Sequence, residues 1–130
     1  MNIAILGYGV EGKSTERYFR AKGHHVTVFD KFSPAEIPDF HLKKFDLVFR
    51  SPSIPPQSIF PDFLHAPNLT SITRYFFDNC PAQIIGITGT KGKGTTCSLT
   101  KTILESIGKK VWLVGNIGTP ALDKIGRAHV

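Results

Sequence analysis

Short apolar runs, each closed by a glycine, a proline or a charged residue, recur along this chain. Residues 2–6, Asn2-Ile3-Ala4-Ile5-Leu6, read as a buried strand ending at Gly7. A helix is expected from about Gly12 to Ala21, closed by Gly23. His25-Val26-Thr27-Val28-Phe29 reads as a second strand ending in Asp30, and Phe45-Asp46-Leu47-Val48-Phe49 as a third. The stretch from Lys31 to Lys44, with Pro34 and Pro38, reads as loop with at most a short helix. Pro52, Pro55, Pro56 and Pro61 make residues 50–61 a stiff connection, and residues 60–66 suit a helical turn. A fourth strand is expected over 68–72 and an aromatic-faced helix over 73–79. Strands over 83–87 and 110–114 flank a helix from about Thr95 to Ile107, capped by Gly108.

This alternation of strand and helix predicts an α/β fold with a mainly parallel sheet. A break at Cys80-Pro81-Ala82 separates two glycine-rich strand-to-helix turns. The expected organisation is a Rossmann-like domain over residues 1–82 and the incomplete opening of a second domain over 83–124. With 130 residues the chain has room for one hydrophobic core and part of another. No apolar run reaches membrane-spanning length, and the chain begins on a strand pattern and not on a basic leader, so a cytoplasmic protein without a membrane partner is expected. The net charge of +6 suits phosphate-bearing small molecules. The basic residues are scattered, with no stripe interleaved with aromatics, which argues against nucleic acid. Cys80 and Cys97 lack metal-ligand spacing, and His24, His25, His41 and His65 suggest no metal site.

Candidate chemistry sits in the two glycine loops. Gly7-Tyr8-Gly9-Val10-Glu11-Gly12 is a full GxGxxG between a strand and a helix, and Asp30 ends the next strand at about the distance expected for an acidic ribose partner. Such a loop brings backbone close to a pyrophosphate and offers it a helix N-terminus. The same glycines also suit tight strand–helix packing without a ligand, and Glu11 is an awkward neighbour for a pyrophosphate. Gly86 to Thr96 resembles a phosphate loop with Lys93 placed to reach a nucleotide phosphate. The fit to a general Walker pattern is imperfect. Counting back from Gly92-Lys93 lands on Ile87, and Gly94 stands where a Ser or Thr normally gives its hydroxyl to Mg²⁺. Thr95 or Thr96 would supply that hydroxyl only from a displaced register.

Taken in order, these pieces resemble the Mur ligase family over residues 2 to about 124. The resemblance is carried by Ile3 to Ser14, by Val26-Thr27-Val28-Phe29-Asp30, by Ser51-Pro52-Ser53-Ile54-Pro55, where Ser53 replaces the family's glycine, by Gly86 to Lys93 with Thr95-Thr96, and by Gly115-Asn116-Ile117-Gly118. It implies an acid–amino-acid ligase of peptidoglycan precursor synthesis, in the branch that joins D-glutamate to UDP-N-acetylmuramoyl-L-alanine with ATP and Mg²⁺. The first domain would hold the UDP group through Gly9, Val10, Glu11, Gly12, Asp30, Lys31 and Ser51, with Asn116 near the substrate phosphates. Gly89, Thr90, Lys91, Gly92, Lys93, Gly94, Thr95 and Thr96 would wrap the ATP phosphates. Lys93 would act catalytically by offsetting their charge, and Thr95 would be a weak metal ligand. In such ligases ATP phosphorylates a substrate carboxylate and the incoming amine displaces phosphate.

The resemblance also implies that further metal ligands, a modified lysine and the amino-acid-binding domain lie beyond residue 130, so that the chain alone is inactive. Residues 125–130, Ile-Gly-Arg-Ala-His-Val, do not resemble the family's continuation. They read as the translation of ATC GGA AGA GCA CAC GTC, which looks like a sequencing adapter, and the expectation is a non-native tail. An incomplete second sheet would expose an edge, and a dimer through that edge is expected. Two other functions remain open: an NAD(P)-binding redox or sensor domain, resting on GxGxxG and Asp30, and a non-catalytic nucleotide-binding module.

Overall fold

The structure is a computed structural model that describes residues 1–30, 39–55, 65–115 and 119–125. It divides into two compact units, Met1–Asp78 and Asn79–Val130. Among the described residues no helix is long and apolar enough to cross a membrane.

The first unit is a parallel α/β layer. Its strands are β1 (Asn2–Leu6), β2 (His25–Phe29), β3 (Leu47–Arg50) and β4 (Leu69–Thr70), in the order β2-β1-β3-β4. All pairings are parallel; Leu6 lies opposite Phe29 on one side and Arg50 on the other. Helix α1 (Val10–Ala21) follows β1, the short α2 (Asp39–Leu42) precedes β3, and α3 (Ile72–Asn79) follows β4. Because the chain passes from β2 to the far side of β1, the order reverses between β1 and β3. In open α/β sheets ligands bind outside the carboxyl ends of the strands at such a point.

β1 is the central strand, and Ile3, Ala4, Ile5 and Leu6 are fully buried. A strand covered on both faces has to be apolar at successive positions, which is why it reads as a run and not an alternation. Over one face Phe19 of α1, Phe49 of β3 and Tyr75 of α3 meet with ring centroids 5.2 to 5.4 Å apart. Burial, and then Tyr18 beside it, pushes the Tyr75 hydroxyl up to about 12. On the other face Ala4, Leu6, Leu42 and Val48 form a second cluster, joined by Phe29, Phe45, Ile54, Ala66 and Leu69. α1 ends as its sequence suggests. Gly23, at φ 79°, donates to the Arg20 carbonyl at 2.9 Å while His24 donates to that of Phe19 at 3.0 Å, the two bonds of a Schellman stop.

The second unit departs from expectation. Helix α4 (Lys93–Ser106) is present and ends on the same motif, with Gly108 and Lys109 donating to Glu105 and Leu104. The strands expected over 83–87 and 110–114 are not formed among the described residues; the only pairing there is an isolated bridge between Val114 and Thr119. Strand hydrogen bonds need a neighbour, and an apolar run without one has no ladder to join. The expected exposed sheet edge is therefore absent from the described residues, and the apolar surface lies elsewhere. No residue of α4 is buried, and Leu99, Ile103 and Ile107, spaced four apart, are about 60% exposed, as is Ile85. A short helix α5 (Leu122–Ile125), not foreseen, buries Leu122 and Ile125.

The remaining differences are boundary shifts. α1 begins at Val10 and α4 at Lys93, each ahead of the expected start, and β3 runs to Arg50. β4 keeps only two residues because Ile72 already belongs to α3. The expected turn over 60–66 lies mostly outside the described residues, as do 126–130 of the expected tail.

Candidate functional site

The carboxyl ends of β1, β2 and β3 carry the first glycine loop. Gly7 turns the chain at φ 91°, a left-handed value that favours glycine, and its amide donates to the Phe29 carbonyl at 2.8 Å. A Cβ on Gly7 would stand 2.9 Å from the Ser51 Cβ, and one on Gly12 would stand 2.4 Å from the Gly7 carbonyl oxygen. These two glycines are thus demanded by the protein's own packing. Gly9 is different. It caps α1 at φ −76°, an ordinary angle, and a Cβ there would meet nothing within 4 Å. Its bare backbone faces open space beside the first turn of α1, where unpaired amides favour an anion.

The sequence candidates Gly9, Val10, Glu11, Gly12, Asp30 and Ser51 are brought together around this switch point by the β1–β2 and β1–β3 registers. Val10 is 72% exposed. Asp30 receives the Tyr8 amide on Oδ1 at 3.3 Å, so that one oxygen of its carboxylate braces the loop. Glu11 is half-buried, and its Oε2 is buried with no hydrogen-bond partner. Among the described residues it is the one buried side-chain polar atom in that condition. A buried carboxylate oxygen is costly unless an N–H or O–H donor reaches it. Ser51 is buried; its amide donates to the Leu6 carbonyl at 2.9 Å and its Oγ lies 3.0 Å from that of Ser53. Lys31 and Asn116 lie outside the described residues.

Two contributors were not singled out from sequence. Tyr8 folds back along α1: its hydroxyl donates to Glu16, which accepts from Arg20 Nε at 2.8 Å, while Arg20 Nη2 reaches the Val26 carbonyl at 3.2 Å. The Tyr8 bond, then Arg20, holds the Glu16 carboxyl below its ordinary range, and the same Tyr8–Glu16 bond raises the phenol. The second is Arg50, the last residue of β3, whose Nη1 donates to the Ile54 carbonyl. Its place directly before Ser51 at a parallel strand's carboxyl end is the signal that marks it.

In the second unit Gly92, at φ 76°, caps α4, and the Lys93 ammonium turns back to donate to the Gly89 carbonyl at 3.1 Å. Residues 89–93 therefore form a loop closed over by its own lysine at a helix N-terminus. Thr96 is spent locally: its hydroxyl donates to the Gly92 carbonyl at 3.0 Å. Thr95 is exposed. Gly94 lies in the first turn of α4 and brings no side chain. The described residues contain no cluster of three or more His, Cys, Asp or Glu able to hold a metal ion, and Cys80 and Cys97 are free. Thr95 alone does not make a protein-built Mg²⁺ site.

No protein-family model matches the chain. Curated proteins do. It is 35% identical to a UDP-N-acetylmuramoylalanine--D-glutamate ligase of Ruminiclostridium cellulolyticum, 34% to that of Clostridium kluyveri and 33% to that of Acetivibrio thermocellus. Each alignment covers 95% of this chain and 31% of the relative. The chain thus spans about a third of the length of the curated relatives it matches.

Proposed function

From homology to UDP-N-acetylmuramoylalanine--D-glutamate ligases over 95% of its length, we propose that the chain is the substrate-binding front portion of such a ligase, its first unit taking the UDP end of the substrate. The observation that carries the reading is the first glycine loop: Gly7 and Gly12 are required by packing, whereas Gly9 is bare toward the switch point. The unpartnered Glu11 Oε2 supports a ligand that brings an N–H or O–H donor, as a uracil or a ribose does. The second oxygen of Asp30 offers another acceptor at the end of β2. In this reading Val10 and Ser51 line the nucleotide.

The loop over 89–96 binds ATP in this proposal. Backbone amides at the start of α4 meet the phosphates, and Lys93 exchanges the Gly89 carbonyl for a phosphate oxygen and neutralises it. Mg²⁺ would come with the nucleotide, with Thr95 as the nearest hydroxyl on offer. The parent ligase would activate the substrate carboxylate with ATP and pass it to D-glutamate in peptidoglycan synthesis in the cytoplasm. The division into a UDP-binding domain over 1–82 and an ATP-binding start over 83–124 is part of the same proposal.

Calorimetry on the purified chain tests this, with UDP-N-acetylmuramoyl-L-alanine, NADH and Mg·ATP as parallel ligands. Binding of the UDP ligand without NADH is expected. Binding of NADH in its place, or of none of the three, overturns the reading.

A further inference from the structure

We infer that Arg50 is a positioning residue for the candidate nucleotide site, acting through the Ser51–Ile54 turn. The inference rests on the functional reading above and goes beyond it, since no candidate role there falls on Arg50.

The turn forms the β3 side of the switch point and packs on Gly7, whose would-be Cβ lies 2.9 Å from Ser51 Cβ and 3.3 Å from Ile54 Cγ1. Its own backbone is poor in donors, because Pro52 and Pro55 carry no N–H. One bond closes it internally, from the Ile54 amide to the Ser51 carbonyl at 3.0 Å, and one ties it to β1, from the Ser51 amide to the Leu6 carbonyl at 2.9 Å. The Ile54 carbonyl precedes Pro55 and is answered from outside the backbone by Arg50 Nη1. Arg50 lies opposite Leu6 in the sheet, two residues on from Val48, and its head closes the turn. A charged donor to a backbone carbonyl is among the stronger hydrogen bonds. Arg50 therefore holds Ser51 and the Ser51–Ser53 hydroxyl pair in one place relative to Gly7 and Gly9.

The test compares Arg50→Met, which keeps an apolar stem and removes the donor, with Arg50→Lys, which keeps a charged donor. Two readouts are taken on the full chain: hydrogen exchange at the Ile54 amide, and calorimetric affinity for UDP-N-acetylmuramoyl-L-alanine. Arg50→Met is expected to speed Ile54 exchange and weaken binding, each by about tenfold, the scale of one such bond. Arg50→Lys is expected to recover both to within about threefold of the wild type. Unchanged exchange in Arg50→Met overturns the inference, and so does faster exchange with unchanged affinity. A wild-type chain that binds no UDP ligand removes instead the functional reading, and the exchange arm still decides whether Arg50 holds the turn.

Discussion

A Cβ on Gly12 would stand 2.4 Å from the carbonyl oxygen of Gly7, so α1 can meet the end of β1 only through a residue without a side chain. The obstacle is backbone, not the flexible end of a side chain. Gly12→Ala is therefore expected to destabilise the first unit by about 3 kcal/mol, the upper part of the overpacking range. Urea denaturation followed by circular dichroism measures it, and a loss within about 0.5 kcal/mol would mean that the helix shifts freely.

Gly9 should behave in the opposite way. It has an ordinary φ and open space around it, and serine is a better cap than glycine. Gly9→Ser is expected to hold stability within about 0.5 kcal/mol while weakening the UDP ligand by about tenfold or more. Calorimetry paired with a denaturation curve separates the two effects. Affinity as good as in the parent chain would argue that no ligand approaches the backbone here.

Lys93 donates to the Gly89 carbonyl at 3.1 Å, in an exposed setting. Lys93→Met is expected to cost little stability and to reduce Mg·ATP binding by about tenfold or more without touching the UDP ligand. In a full-length ligase Gly94→Ser, which restores a hydroxyl in the first turn of α4, is expected to raise ATP turnover. Turnover that stays level would count against a missing metal ligand at that position.

The Tyr8–Glu16–Arg20 group gives acid and alkaline arms to stability. Glu16 is lowered from its ordinary 4.5, first by the Tyr8 bond and then by Arg20. Its contribution is present above pH 4.5 and is lost as pH falls through the lower folded value. Tyr8 is raised from 10.0, first by the same bond, so its contribution is complete below pH 10.0 and lost as pH rises through the higher folded value. Tyr8→Phe should return the Glu16 carboxyl toward its ordinary range in an NMR titration. A Glu16 titration identical to that of the parent would assign the depression to Arg20 alone.

The stripe formed by Leu99 and Ile103 on α4 and by Ile107 at its C-cap is exposed. Ile103→Lys should then change stability by no more than about 0.5 kcal/mol, as a surface substitution does, and should improve solubility. A loss of several kcal/mol would show that the side chain is buried in solution. Sedimentation at several concentrations, read on the same variant, tests whether two chains associate through this stripe.

The local part of this architecture could be read from the chain directly. Gly23 and Gly108 end their helices through bonds to carbonyls three or five residues back, so the stop is written beside the helix itself. The run Ile3 to Leu6 is apolar because the strand is covered on both faces, and GxGxxG announces the turn that follows. What the glycines are for was decided by tertiary structure. A Cβ on Gly7 or Gly12 would run into Ser51 or into the Gly7 carbonyl, while one on Gly9, the same residue in sequence, would meet nothing within 4 Å. Arg50 gained its role only when β3 lay beside β1 and the following turn folded onto Gly7. The clearest divergence lies at 83–87 and 110–114, where apolar patterns suited to strands form no ladder among the described residues. Helices and turns close their hydrogen bonds within a few residues, so their sequence specifies them. A strand draws its bonds from a segment far along the chain, so pattern alone proposes it and only a folded neighbour makes it.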